Sequence, residues 1–243
     1  MRRLLGLVLL VGMSATLAEE QKTETVIPQW AGDVQFGYVS SSGNTENTNI
    51  NGKLNLKKDD TDWVHLFNTV YYSSSDSGNT TAQRYKLAYQ LDYKLNEENS
   101  YWFINSSYED DRFNGYDYRA TLTTGYGKRL YNNNDMTLDG EIGAGLRKSE
   151  PQPGTTPAID NEGMLRVAMK YNWDIAKDRK LTSSMSVEEG EEIRVSTFDI
   201  GFVTMIAGDL SLKAAYEARH VSLVPVGNEK LDTIITLNLL YKF

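Results

Sequence analysis

The chain contains no cysteine. That excludes a disulfide framework, a thiolate metal site and a cysteine nucleophile together. Histidine is almost missing as well, with only His65 and His220 present. The five prolines all fall outside the segments that alternate, so none interrupts a ladder of strands. Basic residues are outnumbered by acidic ones, 25 to 33, and the net charge is -8. No nucleic-acid partner is expected of such a chain, because phosphate backbones are met by basic surfaces. Long hydrophobic runs are also lacking. A membrane helix needs about 20 consecutive apolar residues, and beyond the N-terminus no such run exists; mean hydropathy is -0.48. This absence does not exclude a membrane β-barrel, whose strands hide their apolar face by alternation.

Tyrosine (15) and glycine (19) are plentiful instead, as suits strands, aromatic girdles and tight turns. Met1 to Ala18 reads as a secretory signal: Arg2 and Arg3, a short apolar core from Leu4 to Val11, then small residues at Thr16-Leu17-Ala18. Residues 19–29 read as a polar periplasmic tail, and 30–243 as one outer-membrane barrel domain.

From Trp30 onward the chain is a string of alternating segments. The clearest is Tyr85, Leu87, Tyr89, Leu91, Tyr93 on one face against Arg84, Lys86, Gln90, Asp92, Lys94 on the other. The last, Asp232 to Phe243, sets Ile235, Leu237, Leu239, Tyr241 and Phe243 against a mixed face. Trp63 to Tyr72 is apolar on both faces, and its register is not assignable. Roughly a dozen strands result, an even number as in bacterial single-chain barrels. The expected fold is all-β: a transmembrane antiparallel up-and-down barrel of about 12 strands with both termini periplasmic.

The spacing predicts short turns at Lys57–Asp62, Asn96–Ser100, Tyr131–Asp135, Ala176–Arg179 and Ala207–Asp209. It predicts longer loops at Ser73–Thr81, Asp110–Tyr116, Ser149–Glu162 and Val221–Leu231. Short turns on one rim and long loops on the other is the outer-membrane arrangement, with the short side periplasmic. Trp30, Trp63, Trp102 and Trp173 then all fall at the short-turn interface, where amphipathic rings prefer to sit. The stretch Ser41-Ser42-Gly43-Asn44-Thr45 recurs as Asp76-Ser77-Gly78-Asn79-Thr80, a shared Ser-Gly-Asn-Thr that reads as two outward turns.

Chemistry has little to work with. His65 and His220 lie at opposite strand ends, separated by an apolar band about 25 Å tall. Ser222 shares a face with His220 but stands roughly 7 Å away along the strand, and no third group orients them. Asp59, Asp60 and Asp62 are expected in a turn, and Glu188, Glu189, Glu191 and Glu192 in a loop, and neither stretch has the spacing of a calcium loop. No catalytic, cofactor or metal residue is expected. The informative set faces the lumen: Arg84, Lys86, Asp92, Arg119, Asp139, Glu141, Arg147, Arg166, Lys170, Lys213, Glu217 and Arg219. Both signs are present, which fits either an ion-pair network that fills the interior or a narrow polar pore for small solutes. Twelve strands lie between barrels filled by side chains and those with wide channels.

The segment G-Y-V-S-S-S-G-N-T-E-N-T-N (Gly37–Asn49), the following N-L-K turn and the terminal L-N-L-L-Y-K-F (Leu237–Phe243) resemble the YdiY-like salt-induced outer-membrane protein family, domain of unknown function 481. The resemblance implies an outer-membrane barrel, in contact with lipid and lipopolysaccharide, and transfers no ligand residues. A terminal strand with Leu237, Leu239, Tyr241 and Phe243 is also similar to the signal read by the barrel-assembly machinery. The alternatives are a surface-loop adhesion protein, an outer-membrane enzyme, or a soluble secreted ligand-binding barrel.

Overall fold

A computed structural model describes residues 29–41, 47–95, 99–111, 116–151, 161–224 and 228–243. The expected secretory signal, most of the tail and the first Ser-Gly-Asn-Thr copy lie outside these residues.

Twelve strands follow one another: β1 (Trp30–Ser41), β2 (Asn47–Asp59), β3 (Trp63–Asp76), β4 (Asn79–Lys94), β5 (Ser100–Asp111), β6 (Tyr116–Asn132), β7 (Met136–Pro151), β8 (Asn161–Ala176), β9 (Arg179–Gly190), β10 (Arg194–Ala207), β11 (Leu210–Val221) and β12 (Leu231–Lys242). Each pairs antiparallel with its neighbour in sequence, and β1 closes on β12. The fold is therefore the closed up-and-down barrel that the alternation predicts. An even strand number brings both described ends to one rim, where the Gly32 N–H donates to the Phe243 carbonyl (2.8 Å) and the Phe243 N–H returns the bond (3.0 Å).

Apolar side chains point outward. Phe36, Leu87, Ile142, Leu165 and Leu237 are all exposed, and Ile235 reaches 82 %. Polar ones point inward, and Arg84, Gln90, Asp92, Glu109, Arg147 and Asn238 are all buried. A soluble sandwich would bury the first set, and this chain inverts that order. Hydrocarbon is the solvent that suits such an exterior, and a closed ring of strands is one of the two backbone arrangements that leave no polar edge in it.

The register of β3 is set by its neighbours. Trp63, His65, Phe67, Thr69 and Tyr71 oppose Tyr93, Leu91, Tyr89, Leu87 and Tyr85 and share their outward face. Val64, Leu66, Asn68, Val70 and Tyr72 therefore face inward. The four tryptophans share the rim that holds the chain's end. Trp63 pairs with Tyr93, which pairs with Trp102, and Trp173 opposes Met136 at the start of β7.

Two outer connections are shorter than expected. The loop predicted at Ser73–Thr81 is a hairpin in which β3 runs to Asp76 and β4 begins at Asn79. Its central residues have positive φ, Ser77 at 50° and Gly78 at 79°, as a type I′ turn requires at both places. Glu188 and Glu189 belong to β9 rather than to a loop, and only residues 191–193 join β9 to β10.

Candidate functional site

The interior is the candidate site. Strand alternation aims the polar side chains there, and three groups of contacts divide it.

The first group crosses the middle. Arg84 on β4 donates through Nη2 to Glu217 on β11 at 2.5 Å. Arg219 on β11 meets Glu109 on β5 at 2.5 Å and Asp111 at 3.4 Å. β5 and β11 stand opposite one another in the closed ring. Twelve strands about 4.8 Å apart and tilted by about 40° would enclose a circle roughly 24 Å across. An arginine and a glutamate end to end span only roughly 14 Å between Cα atoms. The barrel is therefore oval at this level, and its walls are tied across the short axis. Lys53 adds contacts to Glu217 (3.6 Å) and Asp199 (3.8 Å), and Lys86 stands 3.9 Å from Glu109. A cavity of about 260 Å³ lies among these residues, and Lys213 also lines it.

The second group lies nearer the short-turn rim. Glu141 on β7 accepts from Arg166 (2.6 Å), Gln90 (2.8 Å) and Tyr101 (3.0 Å). Gln90 also donates to Asp92 at 2.9 Å. Arg129 forks onto Asp139 at 2.7 and 3.3 Å. Phe103, fully buried in this interior, packs in the row of Gly125 and Gly143. A Cβ on Gly143 would stand 2.9 Å from the Phe103 ring and 2.5 Å from the Thr124 carbonyl, so glycine lets the aromatic in. The Arg166 guanidinium lies 5.5 Å from the centre of the same ring. Below is a cavity of about 460 Å³ that Lys170, Asp139, Asp92 and Lys94 line.

The third group fills one side of the opposite mouth. Tyr116, Ile193, Val195 and Val221 form an apolar cluster with Leu223 and Val224 against it. Arg119 lies over the Tyr116 ring at 4.1 Å. Arg147 donates to the Ile193 carbonyl (2.8 Å) and to Glu162 (2.8 Å). Glu162 in turn accepts from the backbone N–H of Glu192 (3.0 Å) and Ile193 (3.3 Å). The short turn is thus folded into the lumen and held there by a buried ion pair. A vestibule of about 460 Å³ stays open beside the cluster, between Tyr72, Gln83, Asp111 and Asp232.

The twelve charged residues singled out by alternation all stand on inward positions, divided among these groups. Sequence reasoning missed Lys53, Glu109, Asp199 and Glu162. The first three could have been found by the same rule, because they sit between outward residues: Leu54, Tyr108, and the pair Phe198 and Ile200. Leu237, Leu239, Tyr241 and Phe243 are on the outside, all exposed. His65 is at the short-turn rim, its Nδ1 2.7 Å from the Tyr89 hydroxyl. His220 is at the other rim, and Ser222 there accepts from the Arg194 N–H at 2.8 Å. The acidic clusters are tied to lysines and arginines. Asp59 contacts Lys57 (2.8 Å) and Lys94 (2.6 Å), Asp60 contacts Lys58 (3.1 Å), and Glu189 pairs with Arg194. Among the described residues no three acidic or histidine side chains converge as a metal site would need.

The model of the family described as "Protein of unknown function, DUF481" matches residues 34–243. The chain is 26% identical over 213 residues to the uncharacterized protein YdiY of Escherichia coli (strain K12), covering 86% of this chain and 82% of that protein. Among solved structures, the COG4313 outer membrane channel from Pseudomonas putida F1 superposes with a TM-score of 0.50 at 12% identity, over 89% of this chain and 96% of that one. The NanC porin does so with a TM-score of 0.49 at 11% identity, over 88% and 99%.

Proposed function

We propose that this chain, which belongs to the DUF481 family of proteins of unknown function, is an outer-membrane β-barrel enclosing a narrow, polar passage for small solutes. The bridge of Arg84–Glu217 and Arg219–Glu109 across the middle carries this reading. Wide pores hold their charges on the walls, with water between. Here the charges meet across the lumen, yet polar cavities remain on either side of the contact. Such an interior passes water and small ions and excludes large solutes. The short-turn rim, with its tryptophans and both described chain ends, faces the periplasm. The other rim meets lipopolysaccharide, and the barrel-assembly machinery reads Leu237 to Phe243. The separation of His65 from His220 supports a passage rather than a catalyst.

Single-channel recording in planar bilayers tests this. The wild type gives small steps, and the double variant Glu109→Ala/Arg219→Ala gives larger ones. Both partners of that contact are removed so that neither of the two is left as an unpaired buried charge. Silence from both proteins across a range of salt would mean that the interior is a structural filling.

A further inference from the structure

The middle cavity has more cations than acids on its walls, five against three. Arg84 and Arg219 are held in the bridge, and Lys53 is shared between two carboxylates. Lys86 touches Glu109 only at 3.9 Å, and its side chain is 39% exposed to the cavity. Lys213 has no carboxylate within ion-pair distance among the described residues. Its position is built rather than incidental. A Cβ on Gly201 would stand 2.6 Å from Lys213 Cε, so the absence of a side chain on β10 lets the lysine lie along the wall. The hydroxyls of Ser184 and Thr197 line the same space and have no partner of their own among the described residues. Each is a donor that an anion would accept from.

We propose that this cavity is an anion site. It takes a small anion, such as a halide, phosphate or short carboxylate, with Lys213 as its fixed charge and Lys86 as the second. This deepens the passage reading and rests on it. Walls of low dielectric strengthen the field of Lys213, which makes no ion pair among the described residues, and of Lys86, whose one carboxylate contact is long at 3.9 Å, and about 260 Å³ leaves room for a small ion with part of its hydration. The vestibule on the long-loop side carries Glu229 and Asp232, besides Asp111, which Arg219 already pairs. Anions therefore meet repulsion there and are admitted more readily from the short-turn rim.

Two measurements test the proposal. In bilayers under a potassium chloride gradient, the reversal potential of the wild type should show preference for chloride. Lys213→Glu should move it toward potassium, and Lys86→Gln should move it less, in the same direction. A potassium-selective wild type, or a Lys213→Glu protein with an unchanged potential, overturns the anion site while leaving the passage intact. The second measurement does not depend on conduction. Crystals soaked in bromide should show an anomalous peak beside Lys213 that is lost in the conservative Lys213→Gln variant. A protein that is silent in bilayers but shows this peak would keep the site and lose the passage. No peak, or one that persists in Lys213→Gln, overturns the site.

Discussion

At the scale of single residues, Arg147 shows what an inward charge does here. It is 1% exposed, and its guanidinium reaches Glu162, Glu188 and the Ile193 carbonyl. Both Glu162 oxygens are engaged as well, one by Arg147 and one by two backbone N–H groups. A buried pair this well hydrogen-bonded contributes little net stability, but removing one partner leaves a charge stranded. Arg147→Ala should therefore cost about 3–5 kcal/mol, read as a lower urea midpoint of the folded barrel in detergent. Replacing both partners, Arg147→Met with Glu162→Leu, should cost clearly less. Equal losses would mean that the pair is solvated and that the turn is held by something else. The inward aim of Arg147 can be read from β7, because Ile142, Ala144 and Leu146 mark the other face. Its partners cannot. Ile193 and Glu188 lie more than forty positions away in sequence, and only the register of three strands brings them together.

At the scale of elements, alternation made most strands readable because each one separates lipid from a polar interior, so the two faces differ in chemistry. Where that contrast fails, the reading fails too. β3 sets Val64, Leu66 and Val70 inward and Phe67 and Tyr71 outward, and only pairing with β4 distinguishes its faces. Turn length was less readable, since Ser73, Ser74 and Ser75 have the composition of a loop yet continue the ladder. That the last strand closes the barrel on the first follows from the up-and-down reading, but how little of the two strands the seam joins was not readable. Four residue pairs join it, Asp33 to Phe36 against Leu239 to Lys242, whereas β1 and β2 pair along the whole of β1. Beyond it, Gly37 to Ser41 and Leu231 to Asn238 have no ladder partner across the seam among the described residues. Asn238 is 1% exposed and both its amide atoms lack a hydrogen bond. Those backbone amides of β12 that point across the seam should exchange with deuterium before those of β6 and β7. Phe243 makes two of the bonds that hold the seam, so its deletion should lower the yield of the heat-modifiable folded form. Normal yield and slow exchange would show a seam closed by other means.

At the scale of the whole molecule, the interior is a series of constrictions, and resistances in series add. The apolar cluster at the mouth, the bridge in the middle and the Glu141 contacts below each narrow the path. They are not equivalent. The mouth cluster occupies one side, and a vestibule of about 460 Å³ bypasses it between β3, β4 and β12. The bridge joins opposite walls, and between Arg84, Glu217 and the neighbouring wall is a separate gap of only about 10 Å³, enough for about one water. On the proposed passage reading the bridge sets the conductance, and widening the mouth should change it little. Ile193→Ala tests this order. The substitution removes buried apolar volume and should cost about 2–5 kcal/mol, so the folded band is checked first by heat-modifiable mobility. Single-channel steps of this variant should stay close to those of the wild type, while Glu109→Ala/Arg219→Ala enlarges them. If Ile193→Ala enlarged the steps as much, the turn that Arg147 folds into the lumen would be the narrowest point. The electrostatic contacts in the middle would then be a brace for the oval wall and not its filter.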